Sequence, residues 1–178
     1  IWYTVFENNT ASVGGGIRSE QGTSSIHLVN CTAVHNYGSV HGGFACLFGS
    51  DTALENCTFE DNSAPYGGAV LWRNASGQAV NCTFSNNYAK YGGAIFNQGY
   101  LSFNNCTFFN NLAYKKGGDV CNSAGSGYKV DVNNTSVNLD YVEAESETEE
   151  KCHKYAEMIA KAVIDALREV SGMQGMAL

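Results

Sequence analysis

The stretch NCTFSNNYAKYGGAI, from Asn81 to Ile95, decides the fold because its pattern returns along most of the chain. The tripeptide NCT occurs at Asn30, Asn56, Asn81 and Asn105, and the cysteines that follow are separated by 26, 25 and 24 residues. A Gly-Gly pair comes about ten residues after each of these cysteines. A self-similar period in the twenties is the signature of a solenoid.

Around each of these cysteines, apolar and polar residues alternate as they do in a strand. The cysteine and the residue two positions later are predicted to point inward, and the threonine between them points outward. The inward cysteines form either a column of free thiols or two disulfides between neighbouring coils. Because a thiol packs well as a small hydrophobe, we favour free thiols. These cysteines are Cys31, Cys57, Cys82 and Cys106.

Two polar corners in each repeat end in asparagine, which tolerates the left-handed backbone of a tight corner. Stacked asparagine amides can also hydrogen-bond along the solenoid axis, which would satisfy buried polar groups. One corner ends at Asn9, Asn36, Asn62, Asn87 and Asn111. The other, which precedes the cysteines, ends at Asn30, Asn56, Asn81, Asn105 and Asn134.

The Gly-Gly pair is interpreted as the opening of a second strand, followed by a variable loop and a third strand. The second glycine shares its parity with the inward residues, so the wall must be thin or sharply bent there. Three short strands and three corners in each repeat predict an all-β solenoid, a right-handed parallel β-helix of about five coils. We assign residues 1–140 to these repeats.

Outward positions of the second strand are apolar, where a solvated wall would carry polar residues. Such a stripe needs a cover. We interpret it as a surface for helix packing or for a partner. Its principal members are Phe44, Cys46, Leu71 and Phe96.

The composition changes after residue 140. We assign residues 141–146 to an acidic connector, 147–172 to an amphipathic α-helix and 173–178 to a tail. Ser146 and Glu149 fit a capping box, and Gly172 fits a helix C-cap. Apolar residues then recur at helical spacing. They are Cys152, Tyr155, Ile159, Val163, Ala166 and Val170.

This helix is the predicted cover of the apolar stripe, running back from the fifth coil toward the first. Cys121 points outward on the last coil, and Cys152 lies in the first turn of the predicted helix. The two residues are therefore predicted to lie close together and are a candidate disulfide pair. The alternative is that the stripe binds a partner and the helix reaches a neighbouring molecule.

Charge and composition narrow the class of partner. A net charge of -7 argues against nucleic acid, because phosphate binding needs lysine and arginine. No apolar run is long enough for an integral membrane segment. Seven cysteines together with several glycosylation sequons fit an extracellular or cell-surface location.

The chain begins at Ile1, in the middle of a repeat, and we interpret it as a processed product or a fragment. An uncapped solenoid end exposes strand edges that recruit other strands. We expect a protein partner, self-association or a further part of this chain to cover the N-terminal end.

Few side chains in the sequence have the identity and spacing of a catalytic, metal-binding or modification site. Asn74, in the variable loop, is the candidate glycosylation site. His35 and His41 lack the converging ligands of a metal site and are interpreted as corner residues. Glu7 and Glu60, with Asp61, share a corner, where we expect a solvated edge. We therefore expect no catalytic residues, no metal and no cofactor.

The combination of FxxN and GGA[ILV] motifs resembles the repeats of the chlamydial polymorphic outer-membrane proteins and related adhesins. FxxN occurs at Phe6–Asn9 and three further times, and GGA[ILV] at Gly67–Val70 and Gly92–Ile95. The resemblance implies a right-handed β-helix passenger at a cell surface that acts in adhesion. We expect an extracellular or cell-surface module that serves as an adhesin or a structural assembly subunit, with a glycan as a candidate ligand. A polysaccharide-active β-helix enzyme, a lyase or hydrolase, and a passive scaffold subunit are the alternative functions.

Overall fold

The computed structural model of the chain describes residues 1–19, 25–125 and 127–143. The predicted helix 147–172, the tail 173–178 and Cys152 lie outside the described residues and stay predictions. Residues 141–143, assigned above to the connector, are the end of a strand in the structure. The strands are numbered β1 to β18 along the described chain, and they coil into three walls.

The first wall contains the three-residue strands, four of which directly follow the repeat cysteines. They are β1 (Val5–Glu7), β5 (Thr32–Val34), β8 (Thr58–Glu60), β11 (Thr83–Ser85) and β14 (Thr107–Phe109). They form a parallel sheet in the order β1-β5-β8-β11-β14, with the threonines in register.

The second wall lies between the asparagine corner and the Gly-Gly pair, in a segment to which the sequence pattern assigned no strand. Its strands are β2 (Thr10–Val13), β6 (Tyr37–His41), β9 (Ser63–Tyr66), β12 (Tyr88–Tyr91) and β15 (Leu112–Lys116). They pair in parallel in the order β15-β12-β9-β6-β2.

The third wall follows the Gly-Gly pairs. Its strands are β3 (Ile17–Arg18), β4 (His27–Val29), β7 (Ala45–Glu55), β10 (Val70–Val80), β13 (Ile95–Asn104), β16 (Val120–Ala124), β17 (Lys129–Asn133) and β18 (Leu139–Glu143). In the middle coils the expected loop is absent from the described chain. The predicted second and third strands are instead one strand of ten or eleven residues, because register shifts absorb the extra residues.

Stacked identical side chains fill the interior. The rings of Phe59 and Phe84 stack at 4.7 Å, and those of Phe84 and Phe108 at 4.8 Å. The four repeat cysteines are free, buried thiols in the same core, as predicted. Each sulfur lies within hydrogen-bond distance of two backbone carbonyls, one of which can accept its S–H; Cys57 Sγ, for example, lies 3.2 Å from the Glu55 oxygen and 3.4 Å from the Leu28 oxygen. The column therefore consists of satisfied, packed thiols.

The buried asparagine corner forms the predicted hydrogen-bonded ladder. The Asn36 side chain donates to Asn62 Oδ1 at 2.9 Å, and Asn62 donates in turn to Asn87 at 3.1 Å. Asn111 continues the ladder and donates to the Asp119 carboxylate at 2.9 Å. The donors of these amides are thus satisfied in the interior, where an unpaired amide would be costly.

The Gly-Gly pairs are required by two different constraints. The first glycine has a positive φ, 64° at Gly67, which disfavours other residues. A side chain at the second glycine, Gly68, would collide with the carbonyl of Gly93 in the next coil. Of the two alternatives left by the sequence, a thin wall or a sharply bent one, the positive φ of the first glycine shows the bend.

The same bend makes one prediction wrong, because Phe44 points inward. Its ring lies 5.1 Å from that of Phe6 and 5.7 Å from that of Phe59, within the core. The amides of Phe44 and Ala45 both donate to the carbonyl of Ala69, so the chain is still turning at these residues. Strand alternation starts only at Ala45, and simple counting of parity fails one residue earlier.

Candidate binding site

Two regions of the outer third wall could contact other molecules, and the first is the apolar stripe. We define the stripe as Cys46, Leu71, Phe96 and Cys121, which pair directly across β7, β10, β13 and β16. All four side chains project outward as predicted, yet all are buried. The register extends the column to Arg18 at one end and Asp140 at the other.

Tyrosines of the second wall close one side of the stripe. The Tyr66 and Phe96 rings meet edge to face at 5.1 Å, and the Tyr66 and Tyr91 rings stack at 5.5 Å. The ammonium of Lys90 lies near the rings of both Tyr66 and Tyr91, and this residue is only 2% exposed. Its ammonium lies 4.9 Å from the Tyr91 ring centroid. An amine this buried needs polar or anionic neighbours, because desolvating a charge is costly.

Cys121, at one end of the stripe, is a free thiol in the structure. Burial, together with the nearby carboxylate of Asp140, raises the pKa of this thiol to about 12. Its predicted disulfide partner, Cys152, lies outside the described residues, so the pairing stays a prediction.

The second region is an open groove of about 480 Å³ on the other half of the third wall. We define the groove by its lining residues, which come from β4, β7, β10 and β13. They are His27, Thr52, Ala53, Glu55, Ser76, Gly77, Gln78, Tyr100 and Ser102. Most are polar, and the small residues Ala53 and Gly77 leave a depression beside the larger side chains.

Tyr100 is the prominent aromatic residue of the groove, with 40% of its surface exposed. Its hydroxyl donates to Asp131 Oδ2 at 2.7 Å, and Lys129 Nζ lies 2.7 Å from Asp131 Oδ1. The hydrogen bonds from Lys129 and Tyr100 lower the pKa of Asp131 below its ordinary value of 3.8. The carboxylate therefore stays ionised and holds the tyrosine hydroxyl in place.

The acidic corner does not converge on a site. Glu7 and Glu60 belong to one outward column but are separated by Val34. Asp61 instead faces His35, at 3.4 Å between oxygen and Nε2. In the part of the chain that the structure describes, no group of three or more His, Cys, Asp or Glu side chains is placed to hold a metal ion.

The sequon asparagines of the repeats behave as corner residues. Asn81 has a φ of 52°, and its side-chain nitrogen donates to Asn56 at 3.2 Å. A glycan on that nitrogen would interrupt a second, exposed series of asparagine hydrogen bonds, which continues from Asn105 to Asn81. Asn74 lies apart from these corners, is exposed, and accepts a hydrogen bond from the Tyr128 hydroxyl at 3.2 Å. Its glycosylation stays a prediction.

No motif or periodicity in the sequence singled out Lys90, Tyr100 or the Lys129–Asp131 pair. The proximity of Tyr100, Lys129 and Asp131 could have been found by aligning the ends of β13 and β17. That alignment places Tyr100 beside Lys129 and Ser102 beside Asp131. Lys90 lies in β12, in a segment to which the sequence pattern assigned no strand, so no pattern indicated its burial.

No helix of the described residues has the length and apolarity needed to cross a membrane. Comparisons with curated proteins and with solved structures returned no match. A family model described as "right handed beta helix region" matches residues 3–139, the part of the chain that forms the three walls. The chain therefore belongs to the right-handed β-helix family.

Proposed function

We propose that this β-helix is the recognition module of an extracellular or cell-surface protein, an adhesin that binds a glycan in the groove. The observation that carries the proposal is the exposed Tyr100 ring, held by Asp131 at the edge of a polar depression. Recognition sites combine an apolar anchor with a few oriented polar groups. The sequon-rich composition and the resemblance to polymorphic outer-membrane proteins support the location and the adhesive role.

The chemistry of the groove favours a sugar over a charged polymer. A tyrosine ring offers a flat apolar face, with its polar end fixed, at a low cost in conformational entropy. Gln78, Ser102 and Glu55 supply donors and acceptors around the ring. Lys129 is already paired with Asp131, so its charge is partly compensated.

The test is a screen of the full chain against neutral and acidic oligosaccharides, with and without calcium. For a glycan that binds, Tyr100→Ala should weaken the affinity at least tenfold, about 1.4 kcal/mol. Tyr100→Phe should retain most of the binding, because it keeps the ring. The matched control is Phe109→Ala, which removes a similarly exposed aromatic ring from the first wall.

Each outcome of the screen has a clear meaning. Equal loss of binding in the Tyr100 and Phe109 variants would place the contact elsewhere. Cleavage of a bound glycan would replace the adhesin with the alternative of a polysaccharide-active enzyme. If no glycan binds at millimolar concentration, the groove is not a glycan site.

A second candidate function, assembly through the first coil, is favoured by exposed apolar side chains at that edge. Trp2 is 70% exposed and Tyr3 80%, beside exposed Ile1 and Val5. Exposed apolar residues at a sheet edge favour pairing with another strand. Native mass spectrometry should show self-association or partner binding that the double change Trp2→Ser and Tyr3→Ser abolishes. A concentration-independent monomer would contradict self-association.

A further inference from the structure

The last turn of the described chain, residues 134–143, extends two walls of the solenoid but not the third one. Its corner residue Asn134 donates to Asn105 Oδ1 at 2.9 Å, and Leu139 pairs with Val120, so both ends of the turn follow the coil before. Fifteen positions separate Asn105 from Val120, whereas only five separate Asn134 from Leu139. The chain therefore crosses directly to the third wall, and this turn adds no strand to the second wall.

Strand β15 is consequently an edge strand of the second wall. Among the described residues it pairs with β12 alone, at the end of the strand order. The Leu112 amide donates to the Asn87 carbonyl at 2.9 Å, and the Lys116 carbonyl accepts from the Gly92 amide at 3.0 Å. Both bonds point toward the preceding coil. Because an edge strand presents its other N–H and C=O groups outward, β15 can pair with one further strand.

The side chains of β15 place an apolar surface beside this edge. Leu112 is 58% exposed and Tyr114 36%. The Tyr114 ring stacks on that of Tyr88 in the preceding coil, with 6.1 Å between the centroids. When a peptide adds a strand to a sheet, main-chain hydrogen bonds provide affinity and contacts to alternate side chains provide specificity. Strand β15 offers both kinds of contact.

Two exposed lysines set the charge of this edge, Lys115 and Lys116. Lys116 also donates to the Tyr141 carbonyl at 3.5 Å, which marks the end of the accessible edge. No carboxylate of the described residues pairs with Lys115. Lysines on a sheet edge disfavour pairing with apolar or basic strands, whereas carboxylates on an incoming strand would compensate their charge. The edge therefore selects an acidic partner.

We infer that β15 is a docking site for an extended acidic segment of another protein, which adds a sixth strand to the second wall. The segment pairs with the backbone of residues 112–115, packs an apolar side chain against Leu112 and Tyr114, and places a carboxylate near Lys115. This surface is separate from the groove and from the first coil. The inference therefore depends neither on glycan binding nor on assembly through the first coil.

A short peptide of alternating glutamate and valine is the probe, titrated against the full chain by calorimetry. It should bind, and a peptide of alternating lysine and valine should bind at least tenfold more weakly. Lys115→Glu should weaken binding of the acidic peptide at least tenfold. The matched control is Arg73→Glu, which reverses an exposed charge on the third wall and should leave the affinity unchanged.

Methylation of the peptide nitrogens tests strand addition itself, because it removes N–H donors and keeps the charge. Two acidic peptides are compared, each methylated at one set of alternate nitrogens. The peptide methylated on the side that faces β15 should bind at least tenfold more weakly than the other. The unmethylated peptide should also slow hydrogen exchange in residues 112–116.

Four results would overturn the inference. They are no binding of the acidic peptide at millimolar concentration, equal binding by Lys115→Glu and the unmodified protein, equal binding of the two methylated peptides, and unchanged exchange in β15. Self-association that Lys115→Glu abolishes would assign the edge to a second copy and would also overturn it.

Discussion

Strand β10 contains both kinds of surface found on the outer third wall. Near its start, Leu71 points outward and is buried under apolar and aromatic neighbours. Seven residues later, Gln78 also points outward, but it is exposed at the groove. Register shifts against β7 and β13 separate the two halves. Position within the coil, rather than secondary structure, therefore decides whether an outward residue is part of the fold or available for binding.

The largest expected contrast comes from placing the same charge on each half. Leu71→Asp should lower the free energy of unfolding by about 4 kcal/mol or more, because it buries an unpaired carboxylate. Gln78→Asp should stay within about 0.5 kcal/mol of the unmodified protein. Chemical denaturation measures both. Similar losses for the two variants would remove the distinction between the halves.

In the groove half of β10, Gly77 is the position at which a substitution should not be tolerated. A side chain on Gly77 would meet the backbone of Thr52 in the neighbouring coil. Gly77→Ala should therefore cost about 2 kcal/mol in unfolding free energy, through overpacking. Ser76→Ala, one residue earlier, is the matched control and should be nearly neutral. A neutral Gly77→Ala would mean that the two coils separate easily at the groove.

The alkylation rates of thiols compare the stripe half and the groove half of the third wall without introducing a charged side chain. Because the pKa of Cys121 is raised to about 12, its alkylation should stay slow at pH 9. A thiol introduced by Ser102→Cys in the groove should react at the rate of a small-molecule thiol. Fast labelling of Cys121 would contradict its burial.

The same thiol predicts a loss of stability in alkali. Between the ordinary value of 9.0 and about 12, the unfolded state has lost the Cys121 proton while the folded state retains it. The unfolded state then binds fewer protons, so the free energy of unfolding should fall as pH rises through this window. Cys121→Ser should reduce this slope in denaturation series at pH 8 to 11.

The smallest expected effect concerns Asp131 in the groove. Its pKa is lowered in the folded state, so its contribution is present above the ordinary value of 3.8 and lost as pH falls below it. Because the pair is exposed, acid should change the stability little and should mainly release the Tyr100 hydroxyl. Tyrosine fluorescence of the unmodified protein and Asp131→Asn, followed from pH 6 to 2, should diverge least at pH 2.

Sequence periodicity predicted the features that repeat in every coil. The asparagine corners, the inward cysteines and the Gly-Gly bend each recur, so one misread copy is corrected by the others. Phe44 was misassigned because the bend shifts parity by one residue, which residue counting does not detect. Tyr100 and its partners occur once, on β13 and β17, which pair in continuous register from Tyr100 to Asn104. Features that occur once carry no periodic signal, and for this reason the groove was missed.

The side-chain hydrogen bonds of the buried asparagine ladder all have the same polarity along the solenoid axis, and the series ends at one coil. In the buried ladder each asparagine donates one N–H to the amide of the next coil and the other to a backbone carbonyl of the preceding coil, until Asn111 donates to Asp119. A carboxylate accepts but cannot donate, so the series of aligned dipoles terminates there. Asp119 occupies the position of Ala69 and Ala94 after the earlier Gly-Gly pairs. Lengthening this array by gene duplication would therefore require an apolar residue at 119 and a new acid one coil later.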